Sequence, residues 1–523
     1  MSEREIGAAR AGRREWIGLG VLLLPALLVS MDMMVLYFAV PFISHDLKPS
    51  GTQQLWIMDI YGFLLAGMLV TMGSIGDRIG RRRLLMIGAA AFGGASVAAA
   101  YSGSAAMLIA TRALLGVAGA TLAPSTLALI RNMFHDPRQR KTAIATWTAG
   151  FSGGAALGPI VGGLLLDHFW WGSVFLINVP AMVLLLIAGP ILLPEFRDPA
   201  PGRFDPLSVL LSLGAVLPVI YGVKQLAVDG VGTVPVLSVV AGTVLGLAFV
   251  LRQRALRDPM IDVTLFRYRA YSGSLCVNIV AAFIMAGFGL FSTQYLQLVY
   301  GLSPLAAGLW SMPAPLSVGV AAGVATALSK SVRPGYLVSG GLVMMAAGLA
   351  VMTRVHVDSP LALGVTGATV MAAGMGVAVT LLADLILSTA PPERAGAAAA
   401  LSETGNELGG ALGIAVLGTI GAAVYRHHVE SAIPAGVPAG ARHAAHETLG
   451  GATAAAQQLP GRSGNTLLHG AQQAFMQGMH LTAATSAVVV VVAAVLAAVV
   501  LRPIAVPAPK PAAEAEKETV PVS

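Results

Sequence analysis

Long apolar runs alternate with short polar turns from residue 17 to residue 501. A helix rises 1.5 Å per residue, so roughly 20 residues cross a hydrocarbon core of about 30 Å. Runs of that length lie near 17–41, 54–73, 84–102, 106–131, 142–166, 173–194, 205–226, 234–251, 271–298, 303–328, 336–354, 361–388, 399–425 and 480–501. The pattern predicts fourteen membrane-spanning helices. Residues 426–478 read as a long connection outside the membrane, with weakly helical pieces around ARHAAHETLGGATAAAQQL and TLLHGAQQAFMQGMH. Such a connection is either a cap over the mouth or a tolerated insertion. Residues 1–16 form a short leading tail, and 502–523, rich in Pro, Ala and Glu, read as a disordered one.

Composition agrees with this pattern. The chain is 56% hydrophobic and 11% charged, with a mean hydropathy of +0.77, leaving too little polar surface for a soluble protein. The first run is long, carries an acid and lacks an A-x-A cleavage site, so it reads as a retained span rather than a signal peptide. With both termini in the cytoplasm, 25 of the 32 Lys and Arg residues fall on the cytoplasmic side, six outside, and one, Arg112, within a span. That asymmetry fits a multi-pass protein of the cytoplasmic membrane. The same dispersal over short loops argues against nucleic acid as the partner of the net +7 charge. Cys276, the single cysteine, lies in an apolar run and reads as small core filler.

Between the second and third spans runs GSIGDRIGRRRL, residues 73–84. Gly73, Gly76 and Gly80 permit a tight turn between packed helix ends, and Asp77 can accept hydrogen bonds from an arginine or a helix N-terminus. Arg78, Arg81, Arg82 and Arg83 hold the loop in the cytoplasm. An ordinary basic loop explains the arginines but not the glycine and aspartate spacing, and the pattern resembles the signature loop of the major facilitator superfamily. In the fifth span, AGFSGGAALGPIVGG supplies Gly154, Gly158, Pro159, Gly162 and Gly163. Small residues four apart let helices approach backbone to backbone, and the proline bends the span. The motif is similar to the one that marks drug:proton antiporters of that superfamily. Arg112, in an R-x-x-x-G-x-x-G setting, is similar to the superfamily's fourth-helix motif, where the arginine is linked to proton coupling. Unpaired at the core centre it costs about 2.5–3.5 kcal/mol, so it needs a partner or must snorkel to the surface.

Five acids lie within apolar runs: Asp32, Asp59, Asp384, Glu403 and Glu407. Each is costly if ionised against lipid, so the set must face a cavity, pair, or carry protons. Glu403 and Glu407 are one turn apart and share a face. Rise per residue puts Asp32, Asp59 and Arg112 in the outer half and Asp384, Glu403 and Glu407 in the inner half, which predicts two polar clusters. Asp384 also reads as an interfacial partner for Arg394, and Glu403 is shallow enough to reach water. SMDMMVLYFAVP, QLWIMDIY and SETGNELGGALGIAVLGTI extend the resemblance to the fourteen-helix drug:proton antiporters of the SmvA/QacA type, most closely the actinobacterial ones. Met34 departs from the threonine usual in the first-helix motif, and the tenth span carries no acid, which bears on dicationic substrates.

The resemblance implies an all-α integral membrane protein of the major facilitator fold: two six-helix bundles of inverted repeats, over 17–194 and 271–501, with two additional central helices over 205–251. It further implies proton-coupled efflux of lipophilic cations such as quaternary ammonium compounds and dyes, with no cofactor and no metal. Asp32, Arg112, Glu403 and Glu407 are then candidates for proton coupling. Asp32, Asp59, Glu407, Trp56, Tyr61, Trp147, Phe151, Phe288, Phe291 and Tyr295 are candidates for substrate binding, since aromatic faces attract cations. Gly73, Asp77, Arg78, Gly80 and Arg81, with Gly154, Gly158, Pro159, Gly162 and Gly163, are candidates for gating. The expected partners are lipophilic cations, protons and lipid, with the chain a monomer. The absence of a G-x-x-x-x-G-K-[ST] run argues against an ATP-driven pump. A membrane-embedded enzyme is disfavoured because His45, His135 and His168 stand singly, without ligand spacing. A dedicated exporter of one endogenous metabolite stays open.

Overall fold

The computed structural model describes residues 11–197, 205–229, 232–256, 259, 263–389, 395–434, 436–459 and 461–501. Among these residues the regular structure is all helical, as the apolar runs require: in lipid every backbone N–H and C=O must be satisfied within the segment. α1 (Arg13–Leu47), α2 (Gly51–Ile79), α3 (Arg81–Ala100), α4 (Ala105–Met133) and α5 (Pro137–His168) each cross once, and α6 (Ser173–Leu176) with α7 (Asn178–Leu192) makes the sixth crossing. α8 (Pro206–Asp229) and α9 (Thr233–Ala255) are the two additional helices. The second half comprises α10 (Arg269–Gln294), α11 (Pro304–Ser311) with α12 (Pro313–Leu328), α13 (Pro334–Met352), α14 (Leu361–Thr389) and α15 (Ala395–Ala432). After the short α16 (Ala439–Glu447) and α17 (Leu449–Gln458), α18 (Gly461–Val500) closes it. Thirteen of these runs qualify as spans, and α2, bent by 52° between Leu69 and Thr71, makes the fourteenth.

Helix starts follow capping chemistry. Ser50, Ser104, Asp136, Ser303 and Thr448 each accept a hydrogen bond from a first-turn backbone N–H, and Pro137 and Pro304 occupy first-turn positions, where no donor is lost. Glycine seams bring crossings together. A Cβ at Gly154 would lie 2.2 Å from Leu27 O, and one at Gly158 2.7 Å from Met34 Cβ, so α5 can press on α1 only without side chains. Gly413 and Gly374 serve α10–α15 and α13–α14 in the same way. α5 remains one unbroken helix across Pro159. α9 turns Val234, Leu237, Val244, Leu247 and Leu251 outward, an apolar face suited to lipid.

Two boundaries differ from the sequence reading. α15 continues to Ala432 and α18 begins at Gly461, so the connection spans 433–460 rather than 426–478. The reason is visible in Leu467, Ala471, Ala474, Phe475 and Met479, which are buried at three- and four-residue spacing and continue the helical stripe of the last apolar run. Cys276 is exposed on α10 instead of filling the core.

The two ends of the molecule differ. At one end, α16 and α17 cap the helix termini: Tyr425 Oη donates to Ala445 O (2.7 Å), Gly51 N donates to Glu447 Oε2 (2.8 Å), and Gly450 lies against Ser44. At the other lies the turn between α2 and α3. The described hydrogen bonds and close glycine contacts between the halves lie toward the capped end: Tyr37 Oη to Ala286 O (3.0 Å), Gly62 against Ala411, Gly163 against Leu305, and Gly308 against Pro159 O. Toward the turn end no such hydrogen bond or glycine contact joins the halves among the described residues.

Candidate functional site: buried ion pairs between the halves

Because the glycines of α5 hold one face of α1, the opposite face, with Asp32, points to α4 and α7. Asp32 Oδ2 accepts from Arg112 Nη1, and Asp32 Oδ1 accepts from Asn178 Nδ2 at 3.4 Å. Arg112 Nε donates to Ile57 O on α2 (3.2 Å), and the guanidinium lies over the Tyr61 ring, 4.6 Å from its centroid, with Phe175 at 6.0 Å. Arg112 is 0% exposed. It does not snorkel, because the carboxylate holds Nη1, the carbonyl holds Nε and the Tyr61 ring covers the guanidinium face. Tyr61, read from sequence as a substrate contact, is fully buried under Arg112.

Asp59, one layer along α2, has a partner the sequence reading missed. Lys224 Nζ of α8 lies 2.7 Å from Asp59 Oδ2, both side chains essentially inaccessible. The same ammonium sits 3.9 Å from the centroid of Trp56. Arg112 is therefore not the one basic residue within a span; Lys224, assigned by sequence to the outside, is a second. The signal was present, since Lys224 falls inside the run 205–226 and a lysine within a span asks for a partner. The expected outer cluster of Asp32, Asp59 and Arg112 resolves into two separate pairs.

Glu407 is half-exposed and Glu403 exposed along α15, although both lie well inside an apolar run. Among the described residues no cation stands within ion-pair distance of either. Asn278 Nδ2 of α10 donates to the intervening Asn406 Oδ1 (2.8 Å). Trp147 and Phe151 stack at 5.9 Å and are half-exposed, Trp147 Nε1 donating to Thr126 Oγ1 (3.1 Å). Glu403, Glu407, Trp147 and Phe151 lie along the turn-end halves of α15 and α5. Phe288 and Tyr295 are instead enclosed in the core, and Phe291 packs on Phe475 at 5.9 Å beneath the cap. They are kept apart from Glu407 and the stack because α10 closes on α15 and α18 there. Asp384 is exposed on α14, and Arg394, its expected partner, lies outside the described residues.

At the turn end, Gly80 takes φ +109°, a left-handed conformation that favours glycine, and a Cβ there would meet Glu195 Oε1 at 2.5 Å. Asp77 pairs with Arg81 Nη2 (2.5 Å), and Arg78 lies in the last turn of α2. Glu195, just past α7, accepts from Arg82 N (3.1 Å) and lies 3.6 and 3.8 Å from Arg82 Nε and Arg83 Nε. Gly73 and Gly76 lie inside α2, so only Gly80 makes the turn, and Gly73 has no close neighbour. Gly162 meets Val35, while Gly163 and Pro159 meet α11 through Leu305 and Gly308, where the two halves touch. Glu195, Asn178 and Gly308 carry no local motif that points to these contacts.

Comparison with known proteins agrees with this architecture. The family model of the Major Facilitator Superfamily matches residues 22–414. The chain is 45% identical to the multidrug efflux pump LfrA of Mycolicibacterium smegmatis, over 92% of this chain and 95% of that one. It is 38% identical to the methyl viologen resistance protein SmvA of Salmonella typhimurium, over 91% and 95%, and 33% identical to the tetracenomycin C resistance and export protein of Streptomyces glaucescens, over 91% and 90%. Among solved structures, a bacterial homologue of the lysosomal transporter Spinster superposes with a TM-score of 0.67 at 16% identity, covering 95% of this chain and all of that one. On this evidence the chain belongs to the major facilitator superfamily, among its multidrug efflux transporters.

Proposed function

We propose that the protein exports lipophilic cations across the cytoplasmic membrane in exchange for protons, working as a monomer with both termini in the cytoplasm. The observation that carries this reading is Asp32, a carboxylate in the middle of the first crossing, buried and paired with an equally buried Arg112. A charged pair this deep is a poor source of stability, since desolvation offsets the Coulomb gain, so a role in ion traffic is its better explanation. Glu403 and Glu407 supply carboxylates with no cation at ion-pair distance among the described residues, and the Trp147–Phe151 stack offers the aromatic face a cation needs.

In the cycle, a cation enters from the cytoplasm at the turn end and meets Glu407 and the stack. Protonation of the carboxylates from outside lowers their hold on the guest. The halves, α1–α7 and α10–α18, then rock about the α2–α15 and α5–α11 seams. Each proton taken in beyond the charge of the exported guest gains about 2.3 kcal/mol per 100 mV of inside-negative membrane potential. Asp32→Asn removes the exchangeable proton while keeping the shape, so everted vesicles carrying it should show no proton-driven ethidium transport, with the protein still folded. Full activity in that variant removes Asp32 from the mechanism. Asp59→Asn should lose cationic substrates selectively, read by comparing ethidium with a neutral dye.

A further inference from the structure

Lys224 does more than neutralise Asp59. Its ammonium lies 2.7 Å from a carboxylate oxygen and 3.9 Å from the centre of an indole ring, which are the two features that hold an organic cation: an anion and an aromatic face. Asp59 and Trp56 come from the same stretch of α2, three residues apart and so on one helix face, while the lysine comes from α8, one of the two helices outside the six-helix halves. Its neighbours on α8 pack into the space between α2 and α15: Ile220 is buried with Phe63, Ala411 and Ala415, and Val216 and Leu217 pack beside them. α8 thus carries a tethered ammonium to a site built by the first half.

We propose that Asp59 and Trp56 form an organic-cation site which Lys224 occupies in this conformation, so that the α8 lysine is a built-in competitor that the exported cation displaces. This rests on the cation-export reading and specifies a resident of that same region. The site has an outlet for the displaced side chain: a small cleft lined by Gly51, Thr52, Leu55, Thr419 and Arg426 reaches Lys224 from the capped end. A lysine suits the role where an arginine does not. Its four-carbon stem is flexible and its ammonium is a single point charge, while a guanidinium over the ring is fixed by directed hydrogen bonds, as Arg112 is by two. Exchange of one monocation for another leaves the charge beside Asp59 unchanged, so the carboxylate need not be stranded in a dry site.

The test uses the purified full-length protein and tetraphenylphosphonium as the probe. Amine acylation at Lys224, read by mass spectrometry, should be low without the probe and rise at least about fivefold as it saturates, with a midpoint matching the binding isotherm. Labelling that stays constant or falls while the probe binds overturns the proposal. In the second arm, Lys224→Met should bind the probe about tenfold more tightly than the native chain at pH 8.5, and Asp59→Asn should cancel that gain when combined with it. A Lys224→Met variant that binds no more tightly, or whose gain survives Asp59→Asn, also overturns it. Should Lys224→Met not fold, the labelling arm on the native chain still decides. Binding and transport of the probe without a change at Lys224 sinks this inference alone, whereas no binding of the probe at any concentration sinks the cation-export reading beneath it.

Discussion

Arg112 and Lys224 each set a cation against a buried carboxylate and over an aromatic ring, yet they are held in different ways. Arg112 belongs to the same half as its partner Asp32, donates also to Ile57 O, and shares Asp32 with Asn178, so four helices fix it. Lys224 reaches Asp59 from an added helix, has the Trp56 face as its other described support, and borders a cleft toward the capped end. The difference separates two uses of one chemistry. A guanidinium with several directed partners serves as a fixed counter-charge, and an ammonium on a flexible stem serves as an exchangeable one.

The comparison can be broken most forcefully at Arg112. Arg112→Met leaves Asp32 without its cation inside the bundle and should cost about 3–5 kcal/mol, read by thermal unfolding in detergent. A loss as small as that of a surface change would mean Asp32 finds another partner. Gly154→Leu should come next, at about 2–3 kcal/mol, since its side chain meets Leu27 O and pushes α1 off α5. It should disturb ethidium transport through Asp32 while leaving labelling of Lys224 unchanged. Lys224→Met should cost less, about 1–2 kcal/mol, because Lys224 gives up one ion pair and the Trp56 face, whereas Arg112 gives up Asp32, Ile57 O and the Tyr61 face.

The smallest effect belongs to Asp205, which anchors the far end of α8. Arg252 Nε and Nη2 donate to it at 3.0 and 2.9 Å, and Ser208 adds further hydrogen bonds, so its carboxyl is held down at about 2. Both partners are partly exposed, so water screens the pair and Asp205→Asn should cost no more than about 0.2–1 kcal/mol. A lowered folded value means this contribution is complete above about pH 4 and disappears as pH falls toward 2. Acid unfolding of the native chain and of Asp205→Asn should therefore converge below pH 2. If Asp205→Asn also alters cation affinity, α8 is positioned by that anchor and the Lys224 pair depends on it.

Much of this was legible in the sequence because lipid permits so few solutions. Runs of 20 apolar residues have to be helices, the G-x-x-x-D-R-x-G-R-R spacing marks the α2–α3 turn, and Arg112 is conspicuous as a charge deep in a run. What was not legible is pairing across sequence distance. Asp59 and Lys224 are separated by some 165 positions and belong to different units, so spacing cannot join them, and a lysine near a run's end looks like a loop residue. The surroundings of the aromatic residues were hidden for a related reason: Tyr61 and Phe288 have the right chemistry for a cation, but burial under Arg112 or against α15 is a property of packing. The long connection was over-drawn because polar residues interrupt the stripe that carries α18 back to Gly461.

The central claim is exchange of protons for an organic cation through Asp32, and proteoliposomes test it without other pumps. With an imposed acid-side pH gradient and membrane potential and no nucleotide, the native protein should concentrate ethidium on the acidic side, and Asp32→Asn should not. Undiminished ethidium movement by the native protein after ionophores have collapsed both gradients would contradict the account.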